Sequence, residues 1–83
     1  MTHDILKLTH DIGNLEIVYR FLYANSRFYE AHCLTHEDLL MFNDYKQRAK
    51  EILGMAGNHD MDEIVKGIAE LIEHKKEILE RYA

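Results

Sequence analysis

The chain has 83 residues, 47% hydrophobic and 30% charged, with a formal net charge of −5. One domain is the most this length supports, and its core is close to the marginal size. No run approaches the ~18–20 consecutive apolar residues of a membrane helix, and Lys and Arg are scattered rather than gathered into the basic stripe of a nucleic-acid polymer binder. With no proline, four glycines and one cysteine, Cys33, the expected class is all-α and no intrachain disulfide is possible. The Met1-Thr2-His3-Asp4 start lacks the basic and apolar regions of a signal peptide, so the expected setting is the reduced cytoplasm.

The first element opens on a repeat. Thr2-His3-Asp4-Ile5 returns seven residues later as Thr9-His10-Asp11-Ile12. Ile5, Leu8, Ile12, Leu15, Tyr19 and Leu22 then fall on alternating steps of three and four, the seam of a helix packed on other helices, and Val18 and Phe21 widen it. The spacing predicts a helix over about 3–24 with Thr2 as its cap, weakened at Gly13 by ~1 kcal/mol relative to Ala. Asn25-Ser26 either ends this helix or lies within it; a break or bend there is the expectation.

The second helix, about 35–53, has the clearest start signal. Thr35 is placed to cap the first turn, with Asp38 three residues on as a short capping box. Leu34 and Leu39 have the spacing of a hydrophobic staple, and Glu37 and Asp38 sit at the positive end of the helix dipole. Leu39, Phe42, Tyr45, Ala49, Ile52 and Leu53 form one apolar face. Gly54 or Gly57 supplies a left-handed C-cap, and Asn58-His59 makes the turn. Asp60, with Glu63 as a second capping box, starts a third helix over about 61–82. Its apolar face runs from Ile64 through Ile68 and Ile72 to Leu79, and Lys75 interrupts it. Three such helices predict a small antiparallel bundle. Their stripes are wider than one core of this size covers, which predicts a homo-oligomer.

Chemistry is less legible. His3 and His10 share a helix face but are separated by ~10 Å of rise, too far to hold one ion. His32-Cys33-Leu34-Thr35-His36 offers Cys-x-x-His without the second pair of a structural zinc site, so the histidines read as exposed or capping groups. Cys33 reads as a small buried apolar residue. No phosphate loop or nucleophile elbow is present, and neither an enzyme nor a cofactor is expected. Rings and cations are interleaved at Tyr19-Arg20, Tyr23, Arg27-Phe28-Tyr29 and Tyr45-Lys46, with Arg48 and Lys50 following. Such sets stack on a base and hold a phosphate, or else form a core and a solvated face. The candidate ligand residues are Lys46, Tyr29, Tyr45, Arg27 and Arg48.

The stretch Leu34-Thr35-x-Glu37-Asp38-Leu39-x-Met41-Phe42-Asn43-x-Tyr45-Lys46 resembles a pattern, Leu-Ser-x-Glu-Glu-Ile-x-Leu-Met-Asn-x-Ile-Lys. That pattern belongs to the anti-CBASS sponge family, small helical phage proteins that sequester cyclic-nucleotide signals. Gly67-x-x-x-Leu71 is similar to the family's Gly-Phe-Met-x-Leu segment. The first match covers 13 of the 83 residues. The resemblance implies a helical oligomer whose inter-subunit pockets bind cyclic di- or trinucleotides without cleaving them, acting against host defence in the host cytoplasm. It carries Lys46 over as a nucleotide contact. The family's Tyr-Arg-Asp before Leu-Ser is here Ala31-His32-Cys33, and the nearest ring is Tyr29.

Two functions from different classes are therefore expected. One is a non-enzymatic sponge for a small nucleotide. The other is an acidic inhibitor or adaptor that docks a protein partner through an apolar helix face. A metal-binding helical protein trails both.

Overall fold

The computed structural model describes residues 2–82, and the side chains of residues 4–82. Three helices, α1 (Thr2–Glu30), α2 (His36–Leu53) and α3 (Met61–Arg81), pack against one another, and no strand forms among the described residues. None of these helices is long and apolar enough to cross a membrane. The 29 residues of α1 make a rod of about 43 Å at 1.5 Å per residue, longer than its two partners. The molecule therefore measures 45 × 22 × 17 Å, with a radius of gyration of 14.2 Å, against about 12 Å for a globular chain of this length.

The expected end of α1 near residue 24 is corrected: the helix runs unbroken to Glu30. Asn25 and Ser26 do not cap a new turn because both side chains are already satisfied within α1. Asn25 Nδ2 donates to the Phe21 carbonyl (2.9 Å) and Ser26 Oγ to the Tyr23 carbonyl (3.2 Å), the back-bonding by which such residues are accommodated inside a helix. The Thr2 cap concerns a side chain outside the described residues.

What ends α1 is His32. Its φ is +57°, its N–H donates to the Tyr29 carbonyl (3.1 Å), and the Cys33 N–H reaches back to the Phe28 carbonyl (2.8 Å). This is the paired closure of a Schellman motif, with histidine where glycine is usual. A left-handed residue with a Cβ costs roughly 1–2 kcal/mol. His32→Gly should therefore raise the urea midpoint by the equivalent of about 1 kcal/mol, part of the relief being lost to the greater freedom of glycine in the unfolded chain. An unchanged or lower midpoint would mean that the imidazole contributes more than its backbone strain costs. Cys33, expected to be buried, is instead exposed, because it follows this turn on the way to α2 rather than facing the core.

The start of α2 follows its signal. The Asp38 N–H donates to Thr35 Oγ1 at 3.2 Å. Its end follows as well: Gly54 takes the left-handed conformation (φ +69°), donating to the Glu51 carbonyl (3.2 Å) while Met55 N–H donates to that of Lys50 (2.9 Å). The Lys50 ammonium donates to the Gly57 carbonyl and so ties the linker back to α2. At α3 the expected capping box is corrected. Asp60 is the N-cap but makes no side-chain bond to the helix. Glu63 turns instead to His59, whose ring lies between Glu63 Oε2 (2.9 Å from Nδ1) and the Ala56 carbonyl (3.1 Å from Nε2).

Between the helices lies an apolar core. From α1 it takes Ile12, Leu15, Val18 and Leu22, from α2 Phe42 and Ala49, and from α3 Met61, Ile64, Ile68 and Ile72. No polar side chain is buried among the described residues. Leu39 and Ile52, expected on the buried face of α2, are instead exposed; only Phe42 and Ala49 of that stripe reach the centre, since two partner helices cover a narrower arc than six apolar positions span. Close approach of α2 and α3 uses Gly67, where a Cβ would lie 2.8 Å from Leu53 Cδ1.

Candidate functional site

The closure at His32 and the cap at Thr35 bring the end of α1 against the start of α2. Between them is a hollow of about 320 Å³, lined by Tyr29, His32, Leu34, Leu39 and Asn43. Tyr29 stacks on the buried Phe42, with ring centroids 4.4 Å apart and planes 18° from parallel. One turn along α2 from Phe42, the Lys46 ammonium lies 5.4 Å from the Tyr29 ring centroid, within cation–π range. Lys46 makes no ion pair among the described residues. Two of the five candidate residues, Tyr29 and Lys46, are thus brought together.

Tyr45 and Arg48 are placed elsewhere. Consecutive helical residues point ~100° apart, so Tyr45 faces away from Lys46 and meets Phe21, ring to ring at 4.7 Å. The Arg48 guanidinium lies 5.6 Å over the Tyr45 ring and pairs with Asp44 at 3.1 Å. Both line a larger groove of about 560 Å³ where α1, α2 and α3 meet. Arg27 joins neither set: it is exposed in the last turn of α1, two residues before Tyr29 and so on a different face.

Several lining residues lie outside the five that the sequence points to. His32 and Asn43 border the first hollow; Asn43 had a signal, being part of the matched stretch. Asp11 and Lys75 border the groove, 3.8 Å apart from Oδ2 to Nζ. Lys75 also had a signal, as the polar interruption of the α3 stripe. Asp11 had none, because only the packing of α1 on α3 gives it a partner. Among the described residues, no three His, Cys, Asp or Glu side chains converge as metal ligands would.

The two openings differ in what they can hold. The smaller is lined by one ring, a carboxamide and an imidazole, and the Lys46 ammonium lies beside that ring without lining the hollow itself. The larger offers an apolar floor with charge at its edge. Compared with protein-family models, with curated proteins and with solved structures, the chain matches none.

Proposed function

We propose that the protein is a non-enzymatic helical binding protein that sequesters a small nucleotide at the α1–α2 hollow, as a viral anti-defence sponge does. The observation that carries this is the Lys46–Tyr29 pair, a cation 5.4 Å from a ring centroid beside an opening bordered by the Asn43 amide and the His32 ring. The base packs against the Tyr29 side of the hollow and the phosphate meets Lys46. The resemblance over residues 34–46 makes cyclic di- and trinucleotides the first ligands to test.

At about 320 Å³ the hollow is near the lower end of the ~300–1,000 Å³ typical of ligand sites. Self-association of antiparallel bundles would enlarge it. The order of contacts along α1 and α2, Tyr29 with Phe42 and Phe21 with Tyr45, supports the antiparallel arrangement. Phe28, Leu40 and Met41, 55%, 58% and 46% exposed, supply apolar surface near the hollow for a second copy.

Thermal melts against cyclic dinucleotides and cyclic trinucleotides test this. A ligand at 100-fold excess over its Kd adds ~2.7 kcal/mol to the folded state, a shift of roughly 10–20 °C for a domain of this size. Lys46→Ala should weaken that binding roughly tenfold or more, the scale of one charge-assisted contact. Absence of a shift with every nucleotide, or unchanged affinity in Lys46→Ala, would remove the function proposed. The same exposed Phe28, Leu40 and Met41, on a chain of net charge −5, favour the alternative of an acidic module that docks a protein partner. A chain that stays monomeric, ignores nucleotides and loses partner binding on Leu40→Glu would support it.

A further inference from the structure

The groove at the junction of the three helices has no part in the function proposed above. Its floor is apolar and fixed: Leu15 and Val18 belong to the buried core. Beside them Ile17 and Ile52 remain 57% and 49% exposed, two large aliphatic groups that face an opening rather than a neighbouring helix. The volume, about 560 Å³, falls inside the ~300–1,000 Å³ range of small-molecule sites.

Charge is placed at the edge of this apolar surface. Lys75 occupies a position in the α3 stripe where an apolar residue would bury more area, and its side chain is only 27% exposed. Its single ionic partner among the described residues, Asp11, is 3.8 Å away, the loose end of the ion-pair range, and an ammonium has three donors. Arg48 uses one terminal nitrogen on Asp44 and is held over the Tyr45 ring, leaving the rest of a five-donor guanidinium to be used. Asp11 and Asp44 each already face a cation, whereas both cations keep donors in hand.

From this juxtaposition we propose that the groove is a second binding site, one for an amphipathic organic anion. The apolar body of the ligand lies on Leu15, Val18, Ile17 and Ile52, and its carboxylate or phosphate head is held between Lys75 and Arg48. The ligand is a free molecule, since the floor is a recess between helices and not a protruding apolar surface of the kind that enters a bilayer.

Decanoate below its micelle concentration is the probe, titrated into ¹⁵N-labelled full-length protein, with decanol, decyltrimethylammonium and inorganic phosphate as comparators. The expected result is that decanoate moves the amides of residues 14–18, 48–52 and 75, while the cationic analogue and phosphate alone do not. Lys75→Met should weaken decanoate roughly tenfold, and Asp11→Asn should tighten it by removing the competing carboxylate. Lys46→Ala should leave it unchanged, which separates this site from the nucleotide hollow. The proposal is overturned if decanoate moves no amide of the groove, if decyltrimethylammonium binds as well as decanoate, if Asp11→Asn weakens binding, or if the protein binds anionic vesicles while ignoring monomeric decanoate. Ile52→Asp, at a half-exposed position, should lose decanoate binding while its helical circular dichroism stays that of the parent.

Discussion

Phe42→Ala is expected to cost ~3–5 kcal/mol, the usual range for removing a buried ring. Phe42 is fully buried, stacks on Tyr29 at 4.4 Å and lies 6.4 Å from the Phe21 ring. It is the only large side chain of α2 that is buried in the core, the other buried residue of that helix being Ala49. Alanine would leave a cavity at the α1–α2 contact and remove the surface on which Tyr29 rests. A domain of this size has a total stability of about 5–15 kcal/mol, so the variant should be close to half unfolded in mild denaturant. Urea unfolding followed by helical circular dichroism measures this, with the slope unchanged if only the native state is affected. A loss under about 1 kcal/mol would show that the ring is not a centre of the core. Because Tyr29 is bound up with Phe42, this variant should also weaken the nucleotide binding proposed at the hollow, even where the protein remains folded.

Ile68→Ala should cost ~2–5 kcal/mol and should do so mainly through α3. Ile68 is fully buried, with Ile64 and Ile72 one turn to either side. The ends of α3 give it little local support: Asp60 makes no side-chain cap bond, and the C-cap residue Tyr82 is right-handed, without the glycine closure seen at Gly54. An amphipathic helix held by packing rather than by its ends is the first to open when packing is lost. Amide exchange in residues 64–80 should therefore accelerate more than in residues 42–50. The control is Ile17→Ala, half-exposed on α1, expected within about 0.5 kcal/mol of the parent. Equal acceleration across all three helices would show that α3 has no independent opening.

The helices themselves were legible in the sequence wherever a local rule decides. Thr35, Gly54 and the heptad steps from Leu8 to Leu22 act within one turn or one face, so spacing alone places them. Two failures share a cause, which is that a polar side chain had several partners within reach. Asn25 and Ser26 could cap or bond backward, and they bond backward. Glu63 could close a box with Asp60 or reach His59, and it reaches His59. The turn at His32 carries no signal in the sequence, because a left-handed residue is usually glycine and here is histidine. The candidate ligand residues form one set along the chain. Helical geometry divides them, since neighbours such as Tyr45 and Lys46 point ~100° apart, and the two openings depend on contacts between distant segments that no local pattern encodes.

The turn after α1 has a practical consequence. Cys33 is the only cysteine of the chain, it is exposed, and it sits between His32 and Leu34, both of which border the Tyr29 hollow. A thiol-reactive dye would therefore attach at a single known point on the lip of that hollow, with no engineered residue. Quenching or a spectral change on adding a nucleotide would then report occupancy directly, and a dye without response to decanoate would report from the same sample that the two openings fill separately. Left unlabelled, the same thiol allows two copies to be joined covalently through their α1–α2 turns under mild oxidation, so reductant should be present whenever the mass of the assembly is measured.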